Sequence, residues 1–337
     1  MRSWRFLLQI LGAIACSAVA LSIEAGDRFY YLGYESIQVI DGDSDAIVAD
    51  IAIKGATRDV ALSADRKFLY VTTNRHLVHK VDLAKNQVVA SSDISSDGWD
   101  RFMFGFVVDA DGKTAYGALM SRKTDDGEVV IGKPVVAQLD LETGKLLRSV
   151  EVPRGIAHLV SVRGGKTLYA VGQDLFKIDT TGSELKVIET VAMFDKGINI
   201  LPFWDYAFDN GGVASMNYYT EKFMGLLLVD QGSGDIEDIV VKGEPVMAYS
   251  VILAPDRKKA YAVMDDLTVI DLAKKTYVTS VPIKEGTCYA VNVSSDGRKI
   301  YVGGGGSTLT IYDAQTLRPM KVLQMASDGM DLRRVSF

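Results

Sequence analysis

With 337 residues, 48% of them hydrophobic and 24% charged, the chain has ordinary globular composition and enough apolar material for a large core, which excludes intrinsic disorder. A formal net charge of −6 argues against a nucleic-acid partner. Cys16 and Cys288 are the only cysteines, a count that excludes a disulfide scaffold, a C-x-x-C-H haem attachment and every cysteine-rich metal site.

Residues 1–25 read as a signal peptide. Arg2 and Arg5 precede an uncharged apolar run from Phe6 to Ile23, and small residues offer cleavage at Ala18-Val19-Ala20 or Ile23-Glu24-Ala25. The competing reading is a retained anchor, because the run is about long enough to span a bilayer. Cleavage after Ala25 removes Arg2, Arg5 and Glu24, so the net charge moves from −6 to −7, and the product is expected in the periplasm without a stable membrane anchor. It keeps one cysteine and the three histidines His76, His79 and His158; three histidines fall short of the four ligands of structural zinc, and on a strand His76 and His79 would point to opposite faces.

From Phe29 onward the chain repeats one unit: a short apolar strand, a polar turn, a strand with an aromatic, a loop, and an apolar strand ending in aspartate. The last strand recurs seven times, as IQVID at Asp41, LVHKVD at Asp82, VAQLD at Asp140, LFKID at Asp179, LLLVD at Asp230, LTVID at Asp271 and LTIYD at Asp313. The preceding hairpin recurs in step around Tyr70, Tyr116, Tyr169, Val213, Tyr261 and Tyr301. Leu332 to Phe337 (LRRVSF) resembles a first strand without its hairpin, whereas Phe29 to Asp41 begins in mid-unit. Units of about 45 residues are the period of four-stranded propeller blades. The expectation is an all-β chain in which residues 26–337 form a single seven-bladed β-propeller closed by the N- and C-terminal strands.

Within this register several tempting motifs become turns. Gly303 to Gly306 joins a second strand to a third and lacks the helix and lysine of a phosphate cradle. The seven aspartates stand before turns, where a short carboxylate accepts backbone N–H groups two residues on. Asp109-Ala110-Asp111-Gly112 starts like a calcium loop but lacks the remaining ligands.

The register also sends the first-strand starts and the second-to-third-strand loops to one rim. That rim collects Phe104, Phe203, Trp204, Tyr249 and Tyr289 from the former, and Tyr218 and Tyr219 with the insertion from Gly117 to Pro134 from the latter. Aromatic residues with scattered arginine mark the centres of subunit interfaces, so these seven aromatics are the candidate partner or cavity rim. No catalytic or metal residue is assigned.

The segments EVPRGI (Glu151 to Ile156), GKTLYAVGQDLFKID, GGVASMNYYTEK (Gly211 to Lys222), and MAYSVILAPDRKKAY followed by TCYAVNVSSDGRKIYVGG resemble the β subunit of quinohemoprotein amine dehydrogenase. That resemblance implies a periplasmic heterotrimer oxidising primary amines to aldehyde and ammonia. In it the propeller carries no cofactor, a small subunit bears a tryptophan-derived quinone, and a third subunit carries two c-type haems. Two other readings stay open. One is a propeller hydrolase of lactonase type, with Asp59, Asp205 and Asn292 as oxygen ligands of a channel cation. The other is a general exported binding scaffold.

Overall fold

The structure is a computed structural model, and it describes residues 26–201 and 204–337. The leader segment and Phe203 therefore lie outside the described residues. Among those described, strands dominate and the helical content is one 3-10 turn, Phe194–Lys196. The strands are short because β-branched and aromatic runs are cut every five or six residues by Asp, Gly and Ser turns. Within a unit, middle strands such as Met224–Asp230 are covered on both faces, while outermost strands such as Lys186–Val191 are exposed.

The chain forms a β-propeller of six hydrogen-bonded sheets, where seven separate blades were expected. Four sheets have four strands each, the first of them His158–Val162, Thr167–Val171, Leu175–Asp179 and Lys186–Val191. A fifth runs from Asp100–Val108 to Leu146–Glu151 and carries the extra strand Glu128–Ile131. The sixth has six strands, in the order Gly329–Ser336, Asp27–Asp41, Ala46–Leu62, Phe68–Thr73, Leu77–Asp82, Gln87–Asp93.

The difference from the expected count has a local cause. The strand Ala46–Leu62 pairs with Asp27–Asp41 along its first part (Asp41↔Ala46 to Tyr34↔Ala56) and with Phe68–Thr73 along its second (Thr57↔Thr73 to Leu62↔Leu69). No turn separates the two halves, so two repeat units share one continuous strand. At the other edge of this sheet the chain ends meet: Gly329–Ser336 pairs with Asp27–Asp41 from Asp27↔Ser336 to Gly33↔Gly329, and the Phe337 N–H donates to the Gly26 carbonyl at 3.0 Å.

The core lies between the sheets. Buried apolar side chains fall into seven clusters, most drawn from two neighbouring repeat units, such as Tyr116, Ala118 and Val136 against Leu159, Leu168 and Ile178, and one joined by Trp204 and Tyr206 from a third. All seven aspartates act as the turn chemistry requires. The Asp140 and Asp313 Oδ1 atoms, for example, accept the Thr143 and Thr316 N–H groups at 2.7 Å. The glycine run is also a turn: Gly304 and Gly305 take φ of +84° and +81°, and a Cβ on Gly305 would sit 1.9 Å from the Thr287 carbonyl oxygen.

Deleting Leu332 to Phe337 removes the fully buried Leu332 and Val335 and unpairs the strand Asp27–Asp41. Each lost apolar anchor is worth about 2–5 kcal/mol, so the truncated chain is expected to melt far below the full one. An unchanged melting temperature would show that the terminal pairing adds nothing.

Candidate functional site

Because strands alternate in direction, the loops joining second to third strands share a rim with the segments entering each first strand. The Met103 N–H, at a first-strand start, donates to the Arg75 carbonyl, in such a loop, at 2.7 Å. Large apolar residues that are exposed fall in two places. Some lie on the outermost strands, among them Val89, Ile188 and Val322. The others, Tyr34 (60% exposed), Val129 (65%), Val130, Ile131, Phe194 and Met247 (58%), all lie on this rim. Among the described residues none lies in the turns of the opposite rim.

Of the residues expected at the rim, Trp204, Tyr249 and Tyr289 come together. The Tyr289 ring centroid is 6.5 Å from Trp204 and 4.9 Å from Tyr249. Phe104 stands apart, its ring 4.2 Å beneath the Arg75 guanidinium, and it lines an apolar cleft of about 240 Å³ with Met120, Pro134, Val152 and Ile156.

Tyr218 and Tyr219 are placed differently from the expectation of a loop. The strand Val213–Tyr219 continues through both, and a second strand is covered on both faces. Tyr218 is fully buried among Met216, Met193 and Leu227, with its Oη 2.5 Å from Asp238 Oδ1. Tyr219 points to the other side, where its Oη accepts the Ala248 N–H at 2.6 Å. Phe203 lies outside the described residues.

The propeller axis is filled. Among the described residues the inner strand of the fourth unit is short, Asn199–Leu201, and from Trp204 the chain leaves the regular strand path, with the Ser215 N–H donating to the Asp205 carbonyl at 2.7 Å. Tyr206, at φ +50°, is fully buried beside Val291 and accepts its N–H at 3.3 Å, whereas Phe208 packs against the cluster containing Leu32 and Val335. The segment thus reaches the first strands on several sides.

Charged groups hold it there. The Arg333 guanidinium donates from Nε to Asp331 Oδ2 at 2.7 Å and from Nη1 to Asp209 Oδ2 at 3.2 Å, and lies 4.0 Å from Asp205 Oδ1. Its Cζ stands over the rings of Tyr206 and Phe208 at 4.9 and 5.4 Å. The Asp209 Oδ1 accepts the Arg334 N–H at 2.5 Å and the Asn292 amide at 2.8 Å. His158 Nε2 is 2.7 Å from Asp205 Oδ2, while its buried Nδ1 has no hydrogen-bond partner.

Burial pushes the Asp331 carboxyl up to about 6 against the pull of Arg333, and raises Asp59 and Asp209 as well. Asp205 is the exception: although burial opposes it, His158 and Arg333 together hold it down at about 2. His158 is raised because Asp205 outweighs its desolvation.

These carboxylates are committed to cations within the chain. Asp205 faces His158, Asn292 gives its amide to Asp209 and the Leu332 carbonyl, and Asp59 contacts Thr72 Oγ1 at 3.5 Å, so the three do not converge as ligands of one cation. No group of three or more His, Cys, Asp or Glu among the described residues has metal-holding geometry. The histidines His76 and His79 serve locally, at 3.1 Å from Asp93 and between Thr73 and Ser91. Cys288 is buried and its thiol is pushed up to about 12. The sequence reading placed Arg333 only as a first-strand start on the rim and did not single out Asp209 or Asp331. Their one available signal was the paired arginine of LRRVSF on an apolar inner strand.

Neither a protein-family model nor any curated protein matches the chain. Solved structures do. It is 15% identical to hydrazine synthase of Kuenenia stuttgartiensis, with 87% of this chain and 90% of that one covered at a TM-score of 0.55. A putative 6-phosphogluconolactonase of Bacteroides fragilis is 14% identical over 93% of this chain and 99% of that one, at 0.57. AztD of Citrobacter koseri is 14% identical over 93% and 98%, at 0.55. At such identity the likeness shows the propeller fold.

The axial groups set a pH dependence. A raised folded pKa on His158 and on Asp331 stabilises the fold below each group's unfolded value, and that stability is lost as pH rises through the folded value. Asp205, lowered to about 2, acts oppositely only below its ordinary 3.8. The melting temperature is therefore expected to be higher at about pH 5 than at about pH 8, with a shallower slope in Asp331→Asn. A melting temperature that rises toward pH 8 would contradict these assignments.

Proposed function

We propose that this chain is the non-redox propeller subunit of an exported, amine-oxidising assembly of the quinohemoprotein amine dehydrogenase type. In this reading it works in the periplasm. Its aromatic rim docks the small quinone-bearing subunit and the dihaem subunit, and Trp204, Tyr249 and Tyr289 wall the cavity in which a primary amine meets the partner's quinone. One observation carries the reading: the exposed apolar side chains that do not lie on outermost strands gather on a single rim, while the opposite rim is built of Asp and Gly turns. Exposed apolar surface is costly in water unless a partner covers it. The sequence resemblance in PRGI and SMNYYTEK supplies the identity of the partners.

The chain's own residues suit a supporting role. In this reading the tryptophan-derived quinone and the c-type haems are carried by the partner subunits, and the buried Cys288 takes no part. The arrangement weighs against a hydrolase with a channel cation, because Asp205 already faces His158 and Arg333, and Asp59 and Asn292, held by Thr72 and by Asp209 and Leu332, do not converge with it. The same reading treats the six-stranded sheet as two positions of the ring, in keeping with the seven core clusters, so that the pairing of the chain ends closes the propeller.

Two sets of variants test the docking face. Met247→Ser with Ile131→Ser alters exposed rim residues, and Tyr249→Ala with Tyr289→Ala alters the cavity wall. Asp111→Ala with Asp296→Ala changes turns on the opposite rim. Interface anchors commonly cost about 2 kcal/mol when truncated. The rim variants are expected to fold normally, bind the companion subunits about thirty-fold more weakly and, for the tyrosine pair, shift preference between short and aromatic amines. If the turn variants disrupt association while the rim variants assemble and turn over normally, the docking face is the opposite one.

A further inference from the structure

The mouth of the axis carries an arrangement that the docking surface does not require. Two neighbouring first strands are irregular at the same height: pairing shifts between Thr57 and Val60, and again between Phe104 and Phe106. Bulges of this kind turn side chains out of the sheet's alternation. Arg58 and Asp59 lie in the first, and Gly105, at φ +74°, lies in the second.

Opposite the first bulge, Asn74 and Arg75 take φ of +51° and +63°, and the Asn74 N–H donates to the Ala56 carbonyl at 2.9 Å. The ladder thus ends with Arg58 on one strand and Arg75 on the loop beside it. The Arg75 guanidinium stacks on Phe104 at 4.2 Å and donates from Nη1 to the Met103 carbonyl at 3.4 Å.

Neither arginine makes a carboxylate pair within 4.0 Å among the described residues, and the buried Arg58 Nε has no hydrogen-bond partner. Arg333, deeper on the axis, has three carboxylates around it. Asp59 is the nearby counter-charge, but its field is shared by Arg75, His158 and Arg333. Arg58 and Arg75 also repel one another, in a chain whose net charge is negative. Two arginines on facing chain segments, each with guanidinium donors that no carboxylate takes up within 4.0 Å, are the side chains that receive oxyanions.

We propose that Arg58 and Arg75, with the Phe104 ring as a platform, form an anion site at the axial mouth of the rim that takes a carboxylate or phosphate group. An ammonium is repelled there, so the site is separate from any amine cavity, and either proposal can fail without the other. The anion has two sources, a free small molecule or an acidic group on a docked partner.

The test uses the mature chain alone and then its assembly with companion subunits. Sodium acetate and sodium phosphate are titrated at ionic strength matched with sodium chloride, while arginine Nε–H resonances are followed by nuclear magnetic resonance. A free-anion site gives a saturable shift of Arg58 Nε–H, weakened about ten-fold or more in Arg58→Gln and in Arg75→Gln. A partner-borne group gives association that acetate or phosphate weakens in the wild type and not in the double variant. Arg75→Gln alone keeps the test valid if Arg58→Gln fails to fold, since the Arg75 side chain makes only the long bond to Met103 and the stack on the half-buried Phe104 ring. Responses equal to chloride in both arms, or variants that bind as the wild type does, would overturn the proposal.

Discussion

A guanidinium on the axis of a propeller has to be neutralised where it stands, and much of this molecule follows from that requirement. Arg333 is 3% exposed, on the strand that pairs with the N-terminal strand. Unpaired, such a charge costs several kcal/mol. Its partners Asp205 and Asp209 come from a segment far away in sequence, which must therefore leave the inner-strand path and enter the axis. Once there, the segment brings Tyr206 and Phe208 under the guanidinium and joins the chain ends to the middle of the chain. Burial alone would not choose this conformation, because a segment ending in Phe208-Asp209-Asn210 could expose its polar groups at the rim. The ion pairs choose it.

Filling the axis decides where function can reside. A propeller with an open channel can gather polar ligands from its inner strands; here those atoms are spent on internal pairs. What is left is the surface of one rim, and the two rims differ in kind. One is a set of turns in which aspartate accepts backbone N–H groups, a construction that resists any partner needing apolar contact. The other presents Tyr34, Met247 and the arm ending in Ile131 around a half-buried group of Trp204, Tyr249 and Tyr289. An apolar centre with a polar surround is how docking surfaces are built.

Local chemistry was legible in the sequence and long-range chemistry was not. The seven aspartates could be read as turn acceptors because the groups they bind lie two or three residues away. The glycine run could be read as a loop because the strands on both sides were plain. Repeat register assigns Tyr218 and Tyr219 to a loop between second and third strands, yet the second strand continues through both, and because its two faces are covered no alternation marks its end. The separate seventh blade was inferred from period, whereas the strand Ala46–Leu62 runs on through Gly55 and Ala56 without a turn. Nothing near Arg333 in the sequence points to Asp209, 124 positions away. The bulges at Arg58 and Gly105 left no mark beyond a single glycine.

The most direct test of the account is purification of the native protein with a visible spectrum and a subunit gel. The account requires this chain to co-purify with two smaller-role companions that carry all of the colour, haem absorbance included, and requires the isolated chain to be folded, colourless and inactive in dye-linked amine oxidation. A solitary chain that oxidises amines by itself, or one that hydrolyses a lactone as a monomer, would contradict it.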